Sequence, residues 1–78
     1  MNPPDEKWQE RAKGVLKAEL ARRGITYKDL ADRLAAIGVK DNALNIANKV
    51  SRGTFTAAFF FQVMDAIDCR VLRLREDE

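Results

Sequence analysis

Residues 41–53 read DNALNIANKVSRG. Wound as a helix, they separate into two faces. Ala43, Ile46, Ala47 and Val50 recur at i, i+3, i+4 and i+7, the spacing that buries one stripe. Asn42, Asn45, Asn48, Lys49 and Arg52 fall opposite. Three asparagines in so short a helix go against propensity, because the Asn amide competes with the helical backbone for hydrogen bonds. Outward amides mixed with two cations suit base edges and phosphates. The competing reading is a solvated polar face. Such faces usually use Glu, Lys and Gln, which cost the helix less.

Three more helices surround this one. Residues 1–4 read as a loose lead-in, with two prolines just before a helix over 5–23. Trp8, Ala12, Val15, Leu16 and Leu20 mark its expected buried stripe. Acids crowd its first turn, and Arg22 and Arg23 its last, in line with the helix dipole. Gly24 stops it, and Ile25 re-enters the core. Thr26-Tyr27-Lys28-Asp29 has the form of a capping box that opens the second helix. Leu30, Ala31, Leu34 and Ile37 keep helical spacing until Gly38. Val39 and Lys40 make a short connection, with Asp41 as the expected N-cap of the third helix. Gly53 ends it.

Thr56 is the expected N-cap of the fourth helix, with Phe55 and Phe60 placed for a hydrophobic staple. Phe59, Phe60, Val63 and Ile67 share one arc, with Met64 and Ala66 beside it. Phe61 points the other way, near Asp65 and Asp68. An outward Phe is either a tolerated exposure or part of a contact surface. The tail, residues 69–78, opens CRVLRLR. Leu72 and Leu74 alternate with Arg73 and Arg75, a strand period, yet the chain offers no second strand. The tail therefore pairs with another subunit, lies as an extended arm, or continues as a helix. Pairing across a two-fold axis is the preferred expectation.

Seventy-eight residues with a net charge of +2 make one small domain, of a size that often gains stability from a partner. The division expected is a lead-in at 1–4, the folded unit at 5–68 and the tail at 69–78. Residues 11–75 hold 13 Lys and Arg against 6 Asp and Glu, a basic body compatible with nucleic acid. No run of 18 or more apolar residues occurs, so no membrane span is expected. MNPPDEKW lacks the features of a signal peptide. The single Cys69 excludes an internal disulfide and fits a reducing cytoplasm, as a core thiol or an interface residue.

Enzyme chemistry is not expected. There is no histidine, so triads and the usual metal ligands are missing. No Gly-rich phosphate loop occurs, and no cofactor is implied. Asp29 with Asp32, and Asp65 with Asp68, lie beside basic residues as solvated pairs.

Two helices joined by a short connection containing Gly form a helix-turn-helix signature, whose second helix enters the major groove. LKAELARRGITYKDLADRL, followed by a polar helix ending in SRG and then an apolar helix, resembles the lambda-repressor-like (Xre/Cro) regulators. The resemblance runs from about residue 16 to 67. Its sharpest parts are Gly24-Ile25-Thr26, Asp29-Leu30-Ala31 and Arg52-Gly53. The chain also resembles a family of short bacterial proteins with the pattern LKAEL-x-x-x-GITY-x-x-L and N-x-x-NK-x-x-RG-x-F, which has no assigned activity. It departs from the Xre pattern at Tyr27, where Gln is common. The interval from Leu34 to Gly53 is longer, and Asp41-Asn42-Ala43 replaces a Ser/Thr-rich helix start.

The expectation is an all-α, four-helix helix-turn-helix domain with a short C-terminal strand or arm. It would bind double-stranded DNA as a homodimeric regulator, with a protein-interaction module as the alternative. Asn45 and Asn48 suit bidentate contact with adenine, Arg52 guanine or phosphate, and Lys49 phosphate. Asn42 would meet a phosphate with backbone amides. The resemblance implies that Tyr27 and Lys28 touch the flanking backbone. Leu44, at the edge of the outer face, is expected to pack on a neighbouring element. Phe61, Leu72 and Leu74 are the expected interface residues.

Overall fold

The computed structural model describes residues 3–74, with side chains from Asp5 onward. Four helices follow one another: α1 (Pro3–Arg23), α2 (Tyr27–Ala36), α3 (Ala43–Arg52) and α4 (Ala57–Ala66). The chain is all-helical, and no strand occurs among the described residues. No helix there is long and apolar enough to cross a membrane. α2 packs against α3 and α4, and α1 against α3. The core joins Leu16 and Leu20 of α1, Leu30 and Leu34 of α2, Ile46 and Val50 of α3, and Phe59, Val63 and Met64 of α4, with Ile67 just beyond.

Local chemistry sets the starts of these helices. The Thr26 hydroxyl accepts from the Asp29 N–H at 3.1 Å while the Thr26 N–H donates to the Asp29 carboxylate at 3.1 Å, a complete capping box. Thr56 accepts from the Phe59 N–H at 3.0 Å. The rings of Phe55 and Phe60 stack at 6.2 Å, closing the expected staple. α1 begins at Pro3, two residues before the expected start. Proline is tolerated in a first turn because its missing N–H has no partner there anyway.

The α2–α3 connection differs from the short turn expected. α2 ends at Ala36, and residues 37–42 all lie between the helices. The cause is a left-handed Gly38, φ +85°. It lets the Val39 N–H reach back to the Leu34 carbonyl at 2.9 Å and folds Val39 onto the core, the usual 6→1 closure. Val39 thereby takes the apolar place expected of Ile37, which is 43% exposed. Asn42, not Asp41, caps α3: its side chain accepts from the Asn45 N–H at 2.9 Å.

Trp8 is also misplaced by the periodicity. It is 57% exposed, because the end of α3 meets α1 one residue further on. A Cβ at Gly53 would lie 2.5 Å from the Gln9 carbonyl oxygen. The contact line on α1 runs through Gln9, Lys13, Leu16 and Leu20. Its upper half is made by backbone and a lysine rather than by apolar side chains, so hydropathy does not mark it.

The tail carries neither helix nor strand through Leu74. α4 closes with Asp68 in the left-handed region, φ +57°, and the Cys69 N–H bonded to the Met64 carbonyl at 2.8 Å. That turn sends the chain back to α1. The Cys69 thiol lies 3.8 Å from Glu19 Oε1, and Leu72 and Leu74 reach cavities walled by α1. Arg75 and the acidic end expected to follow it lie outside the described residues.

Candidate nucleic-acid interface

α3 presents the face that its sequence outlines. Ile46 and Val50 are fully buried, and Ala43 and Ala47 are half-buried. Asn45, Asn48 and Arg52 are exposed. At about 100° per residue these three occupy one arc of about 60°, centred opposite the core. None carries an ion pair among the described residues.

The helix is held firmly at its far end. The Lys13 ammonium donates to the Ser51 carbonyl at 3.2 Å, satisfying an otherwise open C-terminal acceptor with a cation favoured by the dipole. Beside it, Gly53 (φ +68°) sits against the Gln9 backbone. These two contacts from α1, with the burial of Ile46 and Val50, fix the aim of the Asn45–Asn48–Arg52 face. Neither Lys13 nor Gln9 follows from periodicity, because each works on backbone.

The near end behaves differently from the expectation. Lys49 is not free for a phosphate. Its ammonium lies 2.6 Å from Asp41 Oδ2 and 4.7 Å from the centre of the Phe59 ring. Asp41 also accepts from the Asn42 N–H at 2.9 Å. Burial opposes its ionisation, yet the Lys49 ammonium, the Asn42 N–H and the Asn45 side chain together hold its carboxyl below the ordinary carboxylate range. Asp41 is thus a half-buried acid beside the polar face, offsetting one of its two cations. Sequence reading placed it as a cap and missed this role, since residues 41 and 49 are not a helical pair.

The remaining expected residues are spread out. The Asn42 Oδ1 atom is committed to the cap, which leaves its Nδ2 group as the donor for a ligand. Lys28 is exposed and Tyr27 half-buried, the tyrosine packed against the core. Leu44 is 71% exposed and does not pack on a neighbouring element as expected. Phe61 is 70% exposed, its ring edge-on to Phe60 at 6.1 Å. Leu72 and Leu74 line a groove that Phe60 also lines but Phe61 does not. The three expected interface residues therefore do not form one patch. No group of His, Cys, Asp and Glu among the described residues is arranged to hold a metal ion.

Comparison with curated proteins and with solved structures gives no match. Residues 8–72 match a family described as Domain of unknown function (DUF6471), a span that takes in all of α2, α3 and α4 and most of α1. The chain belongs to this DUF6471 family.

Proposed function

We propose that the chain binds double-stranded DNA, with α2 and α3 acting as a helix-turn-helix pair and α3 entering the major groove. One observation carries this reading. Asn45, Asn48 and Arg52 converge on the outer face of a helix whose inner face is buried and whose end is tied to α1. Asn pairs bidentately with adenine and Arg with guanine or phosphate. Lys28 and the Asn42 amide then serve the flanking backbone, Tyr27 stands beside Lys28, and Lys49 stays on Asp41. The likeness of residues 16–67 to lambda-repressor-like regulators supports the same assignment. A single module with few phosphate contacts binds weakly, so the regulator acts as a homodimer on two half-sites. Of the three residues expected at that contact, Phe61 is the one that stands clear of the groove lined by Leu72 and Leu74.

Recovery of fragmented genomic DNA by the purified protein tests the reading. The native chain should retain DNA, less so as salt rises, and an Asn45→Ala, Asn48→Ala variant of equal thermal stability should retain less. Equal, weak recovery from both would refute it. A second reading, a protein-interaction module on the same scaffold, draws on Leu44 and Phe61, both exposed, and on the Asp41 carboxylate that offsets Lys49. It predicts association that is insensitive to salt and lost on Leu44→Ser or Phe61→Ser.

A further inference from the structure

A second feature lies away from the polar face of α3. Trp8, Ala12 and Val15 of α1 face Phe55, Ala57 and Phe60 across a groove, and Leu72 and Leu74 of the tail lie along it. The groove holds about 560 Å³, within the roughly 300–1,000 Å³ of small-molecule sites. A smaller cavity under Arg73 and Leu74 shares Arg11, Val15 and Leu74 with it. The tail thus runs along α1 with open apolar space on either side.

The walls are apolar but the charge is one-sided. Among the described residues no carboxylate lines either cavity, whereas Arg11 lines both and Arg73 the smaller one. Arg11 and Lys7 hold their charges 5.5 and 5.7 Å from the centre of the Trp8 ring. Stacking on an aromatic face leaves the in-plane N–H donors of a guanidinium available. Arg11 forms no ion pair among the described residues. Apolar walls with a cation among them, and no acid in the described lining, complement a ligand with an apolar body and one negative group.

We propose that this groove binds a small amphipathic carboxylate, its hydrocarbon part against Phe55, Phe60 and Leu72 and its carboxylate on Arg11. Filling the space gives the tail an apolar bed, so Leu72 and Leu74 close over the ligand. The site is independent of the DNA-binding face and does not rest on that reading.

Trp8, the only tryptophan in the chain, stands in the groove wall and reports its occupancy. The full chain is titrated with decanoate, decanol and decylamine below micelle-forming concentrations, and Trp8 emission is followed. Decanoate should give a saturable change with an affinity about tenfold or more above that of decanol, the size expected for a charged hydrogen bond. Arg11→Gln should bring decanoate down to the level of decanol. Ala57→Phe should fill the groove and abolish the response, with both variants melting like the native chain. An identical response to all three probes, no response, or decanoate binding unchanged in Arg11→Gln would overturn the proposal. So would an emission change that follows protein concentration without ligand, which would make a second copy the occupant.

Discussion

Gly53 and Gln9 touch through their backbones: a Cβ placed on Gly53 would stand 2.5 Å from the Gln9 carbonyl oxygen and 3.0 Å from its carbon. Gly53 also has a φ of +68°, a region that L side chains rarely adopt. Two separate reasons thus exclude a side chain at the point where α3 ends and α1 meets it.

Gly53→Ala should therefore cost both terms. Left-handed strain adds about 1–2 kcal/mol and forced displacement of the α1 backbone about 1–3 kcal/mol. A fall in melting temperature on the order of 10–40 °C follows for a domain of this size. Gly24→Ala is the control. Gly24 shares the positive φ, at +65°, but a Cβ there meets nothing within 4 Å, so only the left-handed strain of about 1–2 kcal/mol should be lost. Equal losses in thermal melts of the two variants would show that the α1–α3 contact contributes nothing.

Glu19 supplies the pH dependence. Its side chain is wholly buried, with Arg22 at 2.9 Å and Arg23 at 2.7 Å. The Arg22 hydrogen bond, reinforced by Arg23 and opposed by burial, holds its pKa near about 2 instead of 4.5. A carboxylate depressed in the folded state stabilises fully above its unfolded value and loses that effect as pH falls through the folded one. Urea midpoints should accordingly be level above about pH 4.5 and decline toward about pH 2. In Glu19→Gln the unfolding free energy should be lower at neutral pH by about 2 kcal/mol, the midpoint falling with it, and the decline across that window should shrink. An undiminished decline in Glu19→Gln would assign the acid sensitivity to other carboxylates.

The features that read correctly from sequence are those encoded locally. Thr26 with Asp29, Thr56 with the Phe55–Phe60 staple, and the alternating faces of α3 each need only a few neighbouring residues to specify them. The misreadings need distant partners or backbone geometry. Asp41 and Asn42 are both good capping residues, and composition cannot choose between them. The extended Asn42 backbone, φ −130° and ψ 163°, makes that choice. Trp8 has core periodicity, but the helix end it would face is seated on Gln9 instead. Leu72 and Leu74 carry a strand period, yet the turn at Asp68 delivers them to α1. In the proposed site, the amides and Arg52 were legible, whereas the Asp41–Lys49 pair was not, because it spans a helix boundary.

Asp68 occupies a position that glycine fills in the corresponding turns after α1 and α2. Its φ is +57°, against +65° at Gly24 and +85° at Gly38. A Cβ in the left-handed region costs about 1 kcal/mol, and a negative charge at a helix C-terminus is unfavourable. The exposed Arg70 contact at 3.1 Å offsets little of this. Asp68→Gly should raise stability by about 0.5 kcal/mol once the greater freedom of the unfolded chain is allowed for. A lower melting temperature in this variant would mean that the Asp68–Arg70 pair holds the tail against α1.

Asp41 offers the sharpest check on the DNA reading, because it opposes the proposed ligand. Its carboxylate sits 2.6 Å from the Lys49 ammonium and beside the Asn45 side chain that favours its charge. Asp41→Asn keeps an oxygen to accept from the Asn42 N–H and leaves the Asn42 cap untouched, while releasing Lys49. If α3 lies against phosphates, the freed cation should tighten binding severalfold. It should also steepen the slope of log K against log salt by about 0.9, the value for one added phosphate contact. Arg52→Ala should flatten the slope by a similar amount. Lys49→Met should change it little, since that charge is already offset. Anisotropy titrations with a labelled duplex at several salt concentrations separate these outcomes. Slopes that stay the same in Asp41→Asn and Arg52→Ala would remove α3 from the DNA contact and leave the interaction-module reading in its place.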